Sequence, residues 1–245
     1  MSARATTATA ARVLAQLRRD PRTLALLLVV PCLLMALLKG VLRARIGGFQ
    51  RVGPPLLGLF PLISMFLVTS ITVLRERNTG TLERLMTLPL AKADLLAGYA
   101  LAFGAVALLQ ATVVSSVGYG LLGLSTAHSG LAVAALAVAN AVLGMALGLF
   151  LSAFAATEFQ AVQFMPAFIL PQLLLCGLFA PREHMVGVLR IISDVLPMTY
   201  AYDAIARLVR VGPVGGRLGL DVGITLGATG LALALGAATL RRRTP

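Results

Sequence analysis

The feature that most constrains this chain is a run of 63 residues, Leu95 to Thr157, that contains no Asp, Glu, Lys or Arg. A helix needs about 20 apolar residues to cross a bilayer and rises about 1.5 Å per residue, so this run is about three bilayer thicknesses long. It therefore has to fold back on itself within the membrane. One polar, turn-rich break, Ser125 to Gly130, predicts one span over about 95–124 and another over about 131–154.

Four more apolar segments have the length of a membrane span, and they cover about 24–42, 55–74, 159–180 and 222–240. Hydrophobic residues make up 58% of the 245 residues and charged residues 12%, with a mean hydropathy of +0.92. This composition is typical of polytopic membrane proteins and excludes a soluble domain. We predict an all-α polytopic membrane protein with six transmembrane helices, in a single transmembrane domain over residues 1–245.

The distribution of positive charge predicts the orientation. The formal net charge is +12, but the arginines gather at the ends of the apolar runs, so nucleic acid is not an expected partner. Six spans place both termini on one side. With a cytosolic N-terminus, the short connecting segments hold 12 Lys and Arg inside and 4 outside, which favours cytosolic termini. The rule leaves one outer basic group unexplained: Lys39, Arg43, Arg45 and Arg51.

The first 22 residues lack an apolar core followed by a cleavage site, so we expect this segment to remain on the protein. The segment also has a helical period, with an apolar face opposite a basic face. The pattern predicts an interfacial helix along anionic lipid headgroups, and a loose basic tail is the alternative. The two faces are Val13, Leu14 and Leu17 against Arg12, Arg18 and Arg19.

Between the second and third predicted spans lies a densely charged island, Arg75 to Asp94. Asn78-Thr79-Gly80 is a turn signal, and Pro89 ends any helix that follows it. Between them an apolar stripe recurs at helical spacing, which predicts a short amphipathic helix in water under the membrane. The stripe consists of Leu82, Leu85 and Met86.

The island resembles the signature of the permease subunits of type-2 ATP-binding-cassette (ABC) exporters. The matching positions are Glu76, Gly80-Thr81-Leu82-Glu83 and Pro89, placed just after a second hydrophobic span. The resemblance implies a cytosolic coupling helix that docks on a separate ATPase subunit. It gives a coupling role to Glu76, Gly80, Thr81, Glu83 and Pro89, and the stripe residues Leu82 and Leu85 complete the candidate coupling site.

A second informative region, Pro181 to Leu220, precedes the last predicted span. The spacing predicts two short helices, over about 182–195 and 200–209, separated by Pro197 and placed on the outer side. The first would have an apolar edge of Met185, Leu189 and Ile192, and the second would place Asp203 and Arg207 four residues apart as an ion pair. The same exporter family is again resembled by the order of two motifs and one arginine, which implies an outer helical hairpin. These are Phe179-Ala-Pro-Arg-Glu-His-Met, then Leu196-Pro-Met-Thr-Tyr-Ala-Tyr-Asp-Ala, then Arg207. The resemblance covers nearly the whole chain, and the drug-efflux branch fits best.

Nucleotide and metal chemistry are not predicted for this chain. No Gly-x-x-x-x-Gly-Lys-Ser/Thr motif occurs, so ATP and Mg are expected only on the partner ATPase. The two histidines, His128 and His184, fall in separate predicted loops, so no metal site is expected. The predicted span interiors carry no ionisable residue, which disfavours a proton-coupled carrier. No cluster of His, Asp, Glu or Ser supports an intramembrane lipid enzyme.

Neutral polar residues and glycine rows inside the spans have two interpretations each. The polar residues either line a path for amphipathic cargo or form hydrogen bonds between helices, and we keep both open. Gly144-x-x-x-Gly148 and Gly219-x-x-x-Gly223-x-x-x-Gly227 allow close helix contact, which we expect within one subunit. The candidate path residues are Ser70, Gln110, Ser115, Asn140, Gln163 and Gln172.

These observations and the resemblance together predict a permease of the bacterial plasma membrane that is a transport subunit and not an enzyme. It would form a dimer with a second copy or a related permease and pair with two copies of an ABC ATPase. ATP binding there would drive outward movement of a small hydrophobic or amphipathic compound of the drug or antibiotic type. Export of lipid or lipid-linked glycan by the same mechanism is the alternative.

Overall fold

The computed structural model describes residues 2–44, 47–81, 84–85, 92–210 and 215–239. Those residues form helices joined by turns and contain no β-strand, which confirms the all-α prediction. The helices are α1 (Ala3–Arg18), α2 (Pro21–Val41), α3 (Gly48–Asn78), α4 (Lys92–Ser116), α5 (Gly130–Leu151), α6 (Glu158–Phe164), α7 (Leu170–Leu175), α8 (Gly187–Val195), α9 (Pro197–Val209) and α10 (Arg217–Thr239).

Five helices in the described part of the chain are long and apolar enough to cross a membrane. They are Pro21–Val41, Gly48–Asn78, Asp94–Leu121, Gly130–Phe154 and Arg217–Thr239. These five match five of the six predicted spans, so a multi-pass membrane protein is supported.

The predicted span over 159–180 has a different form and is not among those five helices. It consists of α6 and α7, joined by a wide π-helical turn at Met165–Ile169. Pro166 and Pro171 lie in or beside that turn, and each proline removes a backbone donor from the helical ladder. The helical run ends at Leu175, five residues before the predicted boundary.

Hydrogen bonds sort the helix ends into two groups. At what we call the inner end, the backbone amide of Ser2 donates to both Asp94 carboxylate oxygens at 3.1 Å, and Arg77 reaches the Ser152 and Ala153 carbonyls. The inner end thus comprises α1, the end of α3, the start of α4 and the turn between α5 and α6. At the outer end, Gln50 Nε2 donates to the Gly123 carbonyl at 2.9 Å. The helices therefore alternate in direction, as the predicted topology requires.

Two glycines of α5 allow close contact with the backbone of α3. A Cβ on Gly144 would lie 2.0 Å from the Leu62 carbonyl oxygen, and one on Gly148 would lie 2.3 Å from the Phe66 carbonyl oxygen. Because backbone atoms cannot retreat as a side chain can, only glycine fits at either position. Packing within the subunit is confirmed for this glycine row.

The second glycine row behaves differently. Gly219, Gly223 and Gly227 have no described atom of another element within 4 Å of the place where a Cβ would stand. The expectation of contact within the subunit is therefore wrong for this row. The spacing was the same as in α5, but α10 turns these glycines away from the rest of the described chain.

The N-terminal segment forms a helix, as predicted, and packs on α4. Val13 and Leu17 are buried, and Gly98 of α4 admits Thr9 so closely that a Cβ there would lie 2.5 Å from the threonine Cβ. α1 is thus part of the folded inner end, and the alternative of a loose tail does not hold. Its position along the lipid headgroups stays a prediction.

The predicted hairpin consists of two short helices, α8 and α9, but α8 begins at Gly187 instead of about 182 and α9 begins at Pro197 instead of about 200. Its position on the outer side stays a prediction. Pro197 is the first residue of α9, where its missing donor is not needed. The predicted ion pair between Asp203 and Arg207 is wrong, since each has another partner. Asp203 accepts from Arg182 at 2.6 Å, and Arg207 donates to Asp221 at 2.6 Å. Both partners are distant in sequence but lie closer in space than the residue four positions away on the same helix.

Candidate coupling site at the inner end

Glu76 is the centre of a buried ionic cluster at the end of α3. Its residue exposure is only 5%, and its carboxylate accepts two hydrogen bonds from Arg12, at 2.8 Å from Nη1 to Oε1 and 2.9 Å from Nη2 to Oε2. The Tyr99 hydroxyl of α4 donates to the same carboxylate, and Arg12 Nη2 lies 3.3 Å from that hydroxyl. One acid thus joins α1, α3 and α4.

The basic partner in this cluster was not predicted. The helical pattern placed Arg12 on the basic face of α1, toward lipid headgroups, but its guanidinium turns inward to Glu76. Burial alone would lower the pKa of Arg12, yet the hydrogen bonds and the charge of Glu76 outweigh it and raise the pKa above its ordinary value. The sequence signal that was available is that a buried acid needs a basic partner, and α1 offers several arginines without saying which.

The neighbouring residues of α3 hold the turn between α5 and α6. Arg75 pairs with Glu158, the first residue of α6, through distances of 2.8 Å and 3.1 Å. Arg77 Nη1 donates to the Ser152 and Ala153 carbonyls at 3.2 Å and 2.9 Å, where the last carbonyls of a helix attract a positive charge. Asn78 Nδ2 donates to the Ala156 carbonyl at 3.3 Å. The end of α3 is therefore attached on both sides.

The predicted turn after α3 is present. Gly80 has a φ of +70°, in the left-handed region that favours glycine, and Thr79 Oγ1 donates to the Arg75 carbonyl at 2.9 Å. The Thr79 and Thr81 hydroxyls lie 3.0 Å apart. Gly80 thus ends the long helix and redirects the chain.

Of the predicted coupling residues, the structure describes four. Glu76 is buried in the ionic cluster, Gly80 lies in the turn and Thr81 follows it in helical conformation. Leu85 packs in part against the apolar cluster that contains Val13. Leu82, Glu83 and Pro89 lie outside the described residues, as does the stripe residue Met86. The coupling role of all seven residues stays a prediction.

A cavity of about 430 Å³ opens beside this site, between α1, α2 and the end of α3. Its lining is mixed, since it includes Glu76, Thr79 and Thr81 together with apolar residues such as Leu67. Asp20 also lines it and caps α2, where hydrogen bonds from the Thr23 hydroxyl and amide lower the pKa of the carboxyl. The turn within the charged island is therefore next to an open, partly polar space.

The six candidate path residues occupy different surroundings. Gln110 Nε2 donates to the Leu27 carbonyl at 3.0 Å and to Ser64 Oγ at 2.9 Å, so it joins α4 to α2 and α3. Asn140 Nδ2 donates to the Ala201 carbonyl at 3.1 Å and joins α5 to α9. These two form hydrogen bonds between helices, and the path assignment stays a prediction. Of the others, Ser70, Ser115 and Gln172 are buried and Gln163 is exposed.

Comparison with known proteins gives consistent results. A family model described as "ABC-2 type transporter" matches residues 4–208. The protein named "Probable multidrug ABC transporter permease YbhR", from Escherichia coli strains K12 and O157:H7, is 30% identical over 165 residues. That match covers 62% of this chain and 44% of each relative, so the chain spans less than half the length of the curated relatives it matches.

Proposed function

The chain belongs to the ABC-2 type transporter family, and on that premise we propose that it is the permease of an ATP-driven exporter powered by a separate ABC ATPase. Two copies of the ATPase would pair with two permease chains in a bacterial plasma membrane. The compound moved outward would be small and hydrophobic or amphipathic, which agrees with the multidrug name of its relatives. The observation that carries the proposal is the attachment of the end of α3 to both sides of the inner end.

The attachments explain how force from an ATPase would reach the membrane helices. Glu76 ties α3 to α1 and α4, whereas Arg75 and Arg77 tie it to the turn between α5 and α6. A push on the segment after Gly80 would therefore move five helices together. ATP binding on the partner would in this way shift the permease between inward-open and outward-open populations.

We also propose that the chain crosses the membrane six times with both termini in the cytosol. The run from α6 through the π-helical turn to α7 extends without a break from Glu158 to Leu175. Those residues would span about 27 Å, close to the roughly 30 Å of a bilayer core. The inner end, with α1 and the charged island, would then face the cytosol.

The coupling proposal is tested with Leu85→Asp, because Leu85 is the described member of the apolar stripe and an acid there would disrupt an apolar protein contact. We expect the variant to insert in the membrane and co-purify with its ATPase, while ethidium export from vesicles falls about tenfold, the equivalent of about 1.4 kcal/mol. Ala15→Asp, on the exposed face of α1, adds the same charge at the inner end and should leave export unchanged. Normal export by an assembled Leu85→Asp complex would contradict the coupling role.

The orientation is tested by thiol labelling in intact cells, after Cys32 and Cys176 are replaced by alanine. Gly187→Cys, at the exposed start of α8, should react with a membrane-impermeant maleimide. Thr87→Cys, in the charged island, should react only after the membrane is opened. Reaction at position 87 in intact cells would contradict the orientation.

A further inference from the structure

A cavity of about 360 Å³ lies at the outer end, between the turn that follows α7, the hairpin of α8 and α9, and the first turn of α10. Five arginines and three carboxylates line it, so the lining carries two more positive than negative charges. The carboxylates belong to Glu183, Asp194 and Asp203. The arginines are Arg182, Arg190, Arg207, Arg210 and Arg217.

Two of the five arginines hold the walls of the cavity together. Arg182 donates to Asp194 at 2.9 Å and to Asp203 at 2.6 Å, which links the turn after α7 to both helices of the hairpin. Arg207 donates to Asp221 at 2.6 Å, which links α9 to α10. Both aspartates in the lining, Asp194 and Asp203, are thus already paired with Arg182.

The other three arginines, Arg190, Arg210 and Arg217, are exposed and face the same space. No side-chain hydrogen bond or ion pair joins any of them to another residue in the described ranges. Burial raises the pKa of Tyr202 in the cavity wall, whereas the charges of Arg210 and Arg51 oppose that rise. Arg51 therefore adds to the positive field at this cavity.

A concentration of arginine at the outer end runs against the usual distribution of charge in membrane proteins, which keeps basic residues on the cytosolic side. Such a departure calls for a partner with negative charge. The planar guanidinium group presents paired N–H donors that match the oxygens of a phosphate, and it is more weakly hydrated than an ammonium group. Three such groups around one cavity fit a phosphate better than a soluble metal ion or a neutral sugar.

The face of α8 opposite Arg190 is an exposed apolar strip, and it does not line the cavity. Val188, Ile191, Ile192 and Val195 recur at i, i+3, i+4 and i+7 along α8 and are all exposed. An apolar face opposite a basic residue is typical of a helix that lies at the membrane interface with its apolar face toward the acyl chains. The cavity, on the polar side of α8, would then lie at the level of the lipid headgroups, which favours a lipid phosphate over a soluble anion.

We propose that this cavity binds the phosphate of an anionic membrane lipid, with Arg190, Arg210 and Arg217 as donors and the apolar strip of α8 against the acyl chains. The inference rests on the proposed function only for the position of the cavity at the outer surface of the membrane.

The test uses the full chain in vesicles of a phosphate-free galactolipid that contain a trace of phosphatidylglycerol with a photoactivatable acyl chain. After illumination, mass spectrometry measures the label on peptides that carry α8. The variant that carries Arg190→Gln, Arg210→Gln and Arg217→Gln should incorporate about tenfold less label than the unaltered protein. Glu183→Gln removes a negative charge from the same cavity and should increase the label.

Two controls distinguish an effect of the cavity from an effect of net charge, and binding of lipid from binding of free phosphate. Arg4→Gln, Arg18→Gln and Arg22→Gln together remove the same charge from exposed positions at the inner end and should leave the label on α8 unchanged. Unlabelled phosphatidylglycerol should compete for the site. Inorganic phosphate at the same concentration should not.

Three results would overturn the proposal: undiminished label in the outer triple variant, an equal loss in the inner triple variant, or full competition by inorganic phosphate. The labelling requires neither an ATPase nor transport. A failed coupling test therefore leaves it unaffected, and a failed labelling test leaves the proposed function standing.

Discussion

Two adjacent residues at the end of α3 form ion pairs with different helices, and the two pairs differ in burial. The pairs Arg12–Glu76 and Arg75–Glu158 both have a shortest N–O distance of 2.8 Å, so geometry does not separate them. Burial does, since the Glu76 side chain is 6% exposed and the Arg75 and Glu158 side chains are 57% and 49% exposed. Adjacent residues of one helix thus make contacts of the same length and different energetic meaning.

This difference in burial indicates which of the two joints at the inner end, α3 with α1 or α3 with α6, is the more rigid. A buried pair is expensive to break because the remaining charge loses its partner in a poorly solvated place. An exposed pair exchanges its partner for water at little cost. We therefore expect the contact between α3 and α1 to be the stiffer of the two, and the Arg75–Glu158 pair to add little to the contact between α3 and the turn before α6, which Arg77 also holds.

The largest effect is expected from Arg12→Met, which leaves the nearly buried Glu76 carboxylate without its bidentate partner. Breaking a buried pair from one side costs about 3–5 kcal/mol. The free energy of unfolding, measured by titration with sodium dodecyl sulfate in mixed micelles, should fall by that amount. A change below about 1 kcal/mol would show that water replaces Arg12, as at an exposed pair.

Replacing both partners sharpens this first comparison. Arg12→Met combined with Glu76→Leu removes the buried charge as well as its partner, so the double variant should be more stable than Arg12→Met alone. In the exposed pair, the corresponding double change of Arg75 and Glu158 should be no better than either single change, because neither single change leaves a buried charge.

An intermediate effect is expected from Tyr99→Phe. The ring remains stacked 6.3 Å from Phe103, but the hydroxyl that donates to Glu76 is lost. One hydrogen bond to a charged group is worth about 1.5–3 kcal/mol. The same titration should show a loss in that range, smaller than for Arg12→Met. An equal loss would mean that Tyr99, and not Arg12, is the main partner of the acid.

Most of the fold was predictable because local signals decide it. The uncharged run of 63 residues breaks at the turn before Gly130, and Ser129 caps α5 by accepting from the Ala132 amide. The form of α6 and α7 was missed, since Pro166 and Pro171 reshape the helix without ending it. Local signals also could not tell the two glycine rows apart, because only the neighbouring helix decides which row is covered.

The site was predictable only in part. Glu76 and Gly80 follow from a sequence pattern that is local, and the structure places them in a buried cluster and a left-handed turn. Arg12 lies 64 residues from Glu76, and the helical period of α1 predicts the wrong direction for its side chain. The i, i+4 spacing predicts Asp203 as the partner of Arg207, which bonds to Asp221 instead. Ionic partners across helices depend on rotation about each helix axis, which hydrophobic periodicity fixes only approximately.

The smallest effect is expected from Arg75→Gln, and it completes the comparison at the end of α3. The side chain is more than half exposed, so its loss should cost less than about 1 kcal/mol in the same titration. The screening length of salt falls from about 10 Å at 0.1 M to about 3 Å at 1 M, so this small loss should shrink further in 1 M sodium chloride. The loss from Arg12→Met should persist in that salt. A loss from Arg75→Gln that equals it, or that does not shrink in salt, would mean that the two joints do not differ in rigidity.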